Sequence, residues 1–126
     1  MKGWASVALI VAGIGCAQAQ DYTAPQQIFD AMRASFQPQK SRGVYVRYQF
    51  DITGPNGGHW WIEVDNGRCK VEKGIVHRPN VTFVASDKDW VALSNGKLNG
   101  VWAVFTGRLK IEGDQGLARK LDEMFP

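Results

Sequence analysis

The chain has 126 residues, enough for one domain but too few for separate cofactor and substrate domains. Apolar residues make up 44% of it and charged residues 21%, which excludes a disordered chain, a collagen-like repeat and a polytopic membrane protein. Its formal net charge is only +3 and its basic residues are scattered, which argues against a nucleic-acid-binding surface.

The first 19 residues have the three parts of a signal peptide. Lys2 provides the positive start, Trp4–Ile14 the apolar stretch, and Ala17–Ala19 an A-x-A cleavage site. The apolar stretch is shorter than the roughly 20 residues that a membrane span needs. We therefore expect a mature domain of residues 20–126, located in the periplasm or secreted.

Cys16 allows an alternative processing of the N-terminus. Gly13–Gly15 resembles the recognition box before a lipoprotein cysteine, in which case acyl chains on Cys16 would anchor the protein. Cleavage after Ala19 would instead remove Cys16 and leave Cys69 unpaired. Because Cys69 lies in an alternating apolar pattern, we expect a small buried hydrophobic residue rather than a nucleophile, and no disulfide.

The mature chain begins with a predicted helix of about three turns. Thr23 is the expected N-cap, Pro25 lies in the first turn and Gln26 closes a capping box. The apolar residues recur at helical spacing. They are Ile28, Phe29, Met32 and Phe36.

Strands follow, since apolar and polar residues then alternate. The pattern predicts one strand over Val44–Ile52 and another over Trp60–Val64. Asn66-Gly67, the preferred pair of a type I′ turn, predicts an antiparallel third strand containing Cys69. Val81–Ala85 is expected to be the fourth strand of this meander.

The last forty residues predict two short helices, a fifth strand and a final helix. Ser86, Asn99 and Asp114 are the expected helix caps. The fifth strand contains Leu109 and Ile111, and the final helix has an apolar stripe of Leu117, Leu121, Met124 and Phe125. The fold class is therefore α+β, with a five-stranded, mainly antiparallel sheet covered by amphipathic helices.

The short helix at residues 100–106 is apolar on nearly all sides, which gives it more apolar surface than one sheet can cover. Either the last helix packs over it, or part of the surface lines a cavity for an apolar ligand. In a cavity of that kind, tryptophan indole N–H groups are candidates to bind the ligand's polar end.

Residues 89–121 resemble the signature half of the sterol carrier protein type-2 domain, a lipid-binding α+β fold with an apolar tunnel. The matching residues are Asp89, Trp90, Leu93, Gly96-Lys97-Leu98, Ala103, Gly107, Leu109, Ile111, Gly113, Leu117-Ala118 and Lys120-Leu121. The chain departs from the pattern at Gly100, where many members have proline, and Met124–Pro126 is not a peroxisomal signal. The chain is therefore similar to a secreted bacterial member of the family, and its lipid is not identified by the resemblance.

The resemblance implies a non-catalytic lipid carrier that holds a sterol-like, fatty-acyl or isoprenoid molecule. We expect a monomer that needs no cofactor and makes transient membrane contact. The candidate ligand-binding residues are Trp90, Leu93, Val101, Trp102, Phe105, Leu117, Leu121 and Phe125.

Catalytic alternatives have weaker support. His59 and His77 have no Cys, Asp or Glu at zinc-ligand spacing, so we expect no metal site. His59 and Glu63 lie four strand residues apart, roughly 13 Å, which is too far for an acid–base pair. A steroid-isomerase-like enzyme would end on a long curved sheet, whereas a predicted helix closes this chain. The remaining alternative is a protein-interaction module that docks a partner on the same aromatic surface.

Overall fold

The computed structural model describes residues 21–126, so the predicted signal peptide and Cys16 lie outside the described residues. The helices are α1 Pro25–Ser35, α2 Asp87–Ser94, α3 Gly100–Phe105 and α4 Gln115–Met124, with a 3₁₀ turn at Pro38–Lys40. The strands are β1 Tyr45–Thr53, β2 Gly58–Asp65, β3 Arg68–Lys73, β4 Val81–Ser86 and β5 Leu109–Gly113. Within this part of the chain, every helix is too short or too polar to cross a membrane.

The five strands form one sheet in the order β3-β2-β1-β4-β5, which confirms the α+β class. The sheet is mixed, because β4 runs parallel to β1 while all other pairs are antiparallel. The prediction that Val81–Ala85 continues the meander was therefore wrong. Residues 74–80 pass from β3 at the edge to the far side of β1, where Phe83 pairs with Phe50 and their rings stack 5.1 Å apart.

One face of the sheet carries the core. The alternate residues Val46, Tyr48, Phe50 and Ile52 of β1 are all buried there, as the period of two predicted. Helix α1 packs on this face through Phe29, whose ring stacks on Trp60 at 4.8 Å. Each of the four helices contributes at least one side chain to the same core.

The opposite face of the sheet is partly covered, which the strand pattern did not predict. Gln49 alternates with the inward-facing residues of β1 and so lies on the opposite face, yet only 3% of it is exposed. Its amide donates to the carbonyls of Trp60 and Gly74 and accepts from the backbone N–H of Val76 at 2.8 Å. These bonds hold the segment after β3 against the outer face, so Gln49 is buried without losing hydrogen bonds.

Three of the four predicted caps are confirmed. The side chains of Ser86, Asn99 and Asp114 each accept hydrogen bonds from backbone N–H groups in the first turn of α2, α3 and α4. The predicted N-cap of α1 was wrong, because that helix begins at Pro25 with Ala24 as its N-cap. Gln27 accepts from the backbone N–H of Thr23 at 2.8 Å, so it makes the contact that was assigned to Gln26.

Candidate functional site

A cavity of about 400 Å³ lies between the C-terminal helices and the β4–β5 side of the sheet. This volume is within the range of about 300–1,000 Å³ typical of ligand pockets. Its inner wall consists of the buried Phe83, Trp90, Leu93, Leu109 and Leu121 with the half-buried Ile111 and Ala118. Its rim consists of Asn99, Gly100, Val101, Val104, Gln115, Arg119 and Asp122, all exposed.

The polarity of the lining changes from the inner wall to the rim. No side chain of the inner wall is ionisable, and its only polar side-chain group is the indole N–H of Trp90. Arg119 and Asp122 lie at the rim, where water screens their charges. The arrangement suits a molecule that is apolar along most of its length, because a buried charge on the inner wall would have no partner.

Helix α3 forms one side of the opening. Ala103 is its only fully buried residue, and Asn99 caps it by accepting from the N–H groups of Val101 and Trp102. Gly107, with φ of +80°, turns the chain sharply from this helix into β5. Because the helix touches the core mainly through one small side chain, its valines are left at the cavity rim.

Four of the eight candidate ligand-binding residues line this cavity. They are Trp90, Leu93, Val101 and Leu121.

The other four lie elsewhere. Leu117 is half-buried, and Phe125 is fully buried with its ring 5.2 Å from that of Phe36. Trp102 and Phe105 are 57% and 81% exposed, and their rings stack 5.8 Å apart on the surface. The ligand contacts of all eight residues stay predictions.

Sequence reasoning missed the contribution of the sheet to the wall. Phe83, Leu109 and Ile111 line the cavity from β4 and β5. The two strands were predicted, but not that they lie side by side next to α4. Val104 was also missed, although it lies three residues after Val101 and so shares its face of α3.

The Trp90 indole is fully buried, and its Nε1 has no hydrogen-bond partner within residues 21–126. The ring packs between aromatic neighbours, with its centroid 5.9 Å from Phe29 and 5.4 Å from Phe50. Trp60 differs, since its Nε1 donates to the Gln26 side chain at 3.0 Å. Trp90 therefore lines the cavity while its indole N–H stays buried without a partner among the described residues.

The ionisable groups singled out from the sequence lie away from the cavity. His59 Nδ1 is 2.7 Å from Asp51 Oδ1 on the outer face of the sheet, an exposed contact that the sequence did not reveal. Residues 21–126 contain no group of three or more His, Cys, Asp or Glu that could hold a metal ion. Cys69 is half-buried rather than fully buried, and burial raises the pKa of its thiol.

Comparison with known proteins identifies the family to which the chain is similar. A model of the SCP-2 sterol transfer family matches residues 27–126. Hydroxysteroid dehydrogenase-like protein 2 of Xenopus tropicalis is 29% identical over 125 residues, 98% of this chain and 30% of that protein. Sterol carrier protein 2 of Homo sapiens is 34% identical over 86 residues, 68% of this chain and 16% of that protein. The chain thus spans less than a third of the length of either relative.

One solved structure shares the fold of this chain, and nearly all of the solved protein takes part in the match. The solution structure of palmitated SCP2L2 from Aedes aegypti superposes with a TM-score of 0.65 and 27% identity. The match covers 82% of this chain and 95% of that one.

Proposed function

The chain belongs to the SCP-2 sterol transfer family, and from this premise we propose that its cavity binds one apolar, lipid-like molecule. The observation that carries the proposal is the apolar inner wall between the sheet and helices α2 and α4. A sterol-like, fatty-acyl or isoprenoid molecule fits this chemistry. The domain would carry its ligand unchanged, because the inner wall holds no acid, base or nucleophile.

The expected affinity follows from the area that a lipid would bury. A ligand burying about 400 Å² of apolar surface gains about 10 kcal/mol at 25 cal/mol/Å². The loss of translational, rotational and conformational freedom offsets part of this gain, so we expect dissociation constants near micromolar. Such an affinity allows both uptake and release.

We also propose that α3 contacts a membrane when lipid enters or leaves. Its side chains Val101 and Phe105 are each 81% exposed, and Val101 belongs to the cavity rim. Residues 95–110 include three basic residues and no acidic one, although Arg108 is paired with Asp89 and Lys97 with Asp21. Exposed aromatic side chains beside basic residues are typical of interfacial membrane contacts.

The exposed Trp102–Phe105 pair also supports the second candidate function, a protein-interaction module. The two functions differ in what the surface binds. A membrane contact predicts binding to vesicles by a monomer, whereas a docking surface predicts a dimer or a complex with another protein.

We propose that the protein is exported and that residues 1–19 are removed. The support is the tripartite pattern at the N-terminus. N-terminal sequencing should then begin at Gln20, a blocked and lipidated Cys16 would favour the anchored form, and an intact Met1 would contradict both. The relatives carry the matching segment inside longer chains, and for this domain we propose ligand binding rather than a reaction.

Mass spectrometry of organic extracts from the purified protein tests the main proposal. We expect one lipid species or class at near-stoichiometric amount, and a saturable fluorescence change when the delipidated protein is titrated with that lipid. Absence of lipid from the extract, together with no saturable response to sterols, fatty acids and isoprenoid quinones, would refute it.

A further inference from the structure

We infer that Arg119 binds the carboxylate of a single-chain lipid at the cavity rim, while the chain of that lipid lies along the inner wall. The inference rests on the proposed function and assigns the polar end of the ligand. Arg119 is then a specificity-determining residue, because its guanidinium contacts the ligand itself.

The first step is the state of the polar side chains at the rim, of which there are four. The Asn99 side chain accepts from two backbone N–H groups of α3, and the Gln115 side chain donates to two backbone carbonyls of β5. Asp122 also has an interaction of its own. Arg119 is exposed and makes no hydrogen bond or ion pair with any residue in 21–126. Its guanidinium is therefore the rim group that is available to a ligand.

The second step is the chemistry that a guanidinium recognises. It has five N–H donors in a planar fork and no acceptor, so it matches the two oxygens of a carboxylate. A hydroxyl, such as the polar end of a sterol, is uncharged and offers a single oxygen, which makes it a weaker partner. The rim also carries the Asp122 carboxylate, which repels anions. A carboxylate, with one negative charge, suits such a rim better than a phosphate monoester, which carries nearly two.

The third step is the direction of the ligand in the cavity. Arg119 follows Ala118 on α4, and Ala118 belongs to the inner wall together with the buried Leu121. The described residues of the inner wall include no ionisable side chain, so a carboxylate placed there would lose its hydration without gaining a partner. At the rim the carboxylate keeps contact with water and gains Arg119, and the apolar chain fills the space inside.

Tridecanoate and methyl dodecanoate test the role of the charge, because the acid and the ester are isomers and only tridecanoate is ionised at neutral pH. In calorimetric titrations of the delipidated protein, Arg119→Gln should weaken tridecanoate binding by about fivefold at low ionic strength, the upper size for an exposed ion pair. Binding of the ester should change by less than about twofold. The loss for tridecanoate should shrink in about 1 M salt, where charges are screened beyond about 3 Å.

Lys120→Gln is the matched control. Lys120 is the next residue on α4 and is equally exposed, but it does not line the cavity. The variant removes the same charge from the same helix, so it should leave both affinities unchanged.

A second measurement reports where the carboxyl group lies, using tridecanoate labelled with ¹³C at its carboxyl carbon. Pairing with Arg119 lowers the pKa of the bound carboxyl, whereas burial against the inner wall raises it. We expect the ¹³C resonance of the bound ligand to titrate at a lower pH in the unaltered protein than in Arg119→Gln.

Unchanged tridecanoate affinity in Arg119→Gln, an equal loss for the ester, or an equal loss in Lys120→Gln would overturn the inference and leave the proposed function standing. A carboxyl pKa that is higher in the bound than in the free ligand would also overturn it, because the carboxyl group would then lie inside. A larger loss for dodecyl phosphate than for tridecanoate in Arg119→Gln would refute the choice of carboxylate. Failure of all three ligands to bind would instead contradict the proposed function.

Discussion

Replacing Ala118 with Leu tests whether the cavity is the lipid site. Ala118 is half-buried in the cavity wall on α4, and the change adds three carbon atoms there. At about 0.8 kcal/mol per buried methylene, the ligand contacts that these carbons displace amount to about 2.4 kcal/mol, or weaker binding by about 50-fold. In the empty protein the same carbons fill apolar space, so the free energy of unfolding should rise by about 0.5–2 kcal/mol.

Affinity and stability should therefore change in opposite directions, which a generally damaged protein would not show. Fluorescence titration of the delipidated variant with a fatty acid measures the affinity, and urea denaturation measures the free energy of unfolding. Ala34→Leu, an exposed position on α1, provides the control and should leave the affinity unchanged. Raised stability with unchanged affinity would show that the lipid binds elsewhere, and a fall in both would show that the wall has no free space at Ala118.

Three further predictions concern stability. Tyr48→Phe removes the hydroxyl that donates to the Leu117 carbonyl at 2.6 Å, so urea denaturation should show a loss of about 1–2 kcal/mol. Burial raises the pKa of Tyr48 above its ordinary value of 10.0, so the unfolded chain loses the hydroxyl proton at a lower pH than the folded protein. The free energy of unfolding should therefore fall as pH rises above 10, by at most about 1.4 kcal/mol per pH unit. The Tyr48→Phe variant should lack that part of the alkaline loss. Cys69→Ser should lower stability by about 1 kcal/mol, the low end of the cost of burying an unpaired hydroxyl, because the side chain is only half-buried. Ligand binding should be unchanged, and a folded variant that no longer binds lipid would show that the thiol takes part in binding.

The sequence predicted the helices and strands correctly, but it did not predict which strands lie side by side in the sheet. The pattern at Val81–Ala85 correctly predicted a strand, because local sequence reports the extended backbone and its apolar character. It does not report the partner strand, since a β4 beside β3 and a β4 beside β1 would show the same alternation. The parallel pairing of β1 with β4 depends on the path of residues 74–80, which Gln49 fixes through hydrogen bonds with no local signal.

The candidate site was likewise predicted only in part. The excess of apolar surface at residues 100–106 left two explanations open, a covering helix or a cavity; Val101 and Val104 lie at a cavity rim, whereas Trp102 and Phe105 are exposed. Composition alone could not say which residues would face the cavity. The rotation of α3 is set by the burial of Ala103, which leaves Phe105 exposed and turns Val104 towards the opening.

All cavity-lining residues lie between Phe83 and Asp122, so the binding site is built from one continuous stretch of chain. The β1–β3 meander, which lies before this stretch, contributes none of them. Regions of a protein open independently when few contacts cross between them, but here β4 is joined along β1 by six residue pairs. Hydrogen exchange should therefore find the slowest amides in β1 and β4 and faster opening at α3, and a bound lipid should slow exchange most in the stretch after β4. The same chain order implies that, during synthesis, the meander emerges and pairs locally before any part of the lipid site exists.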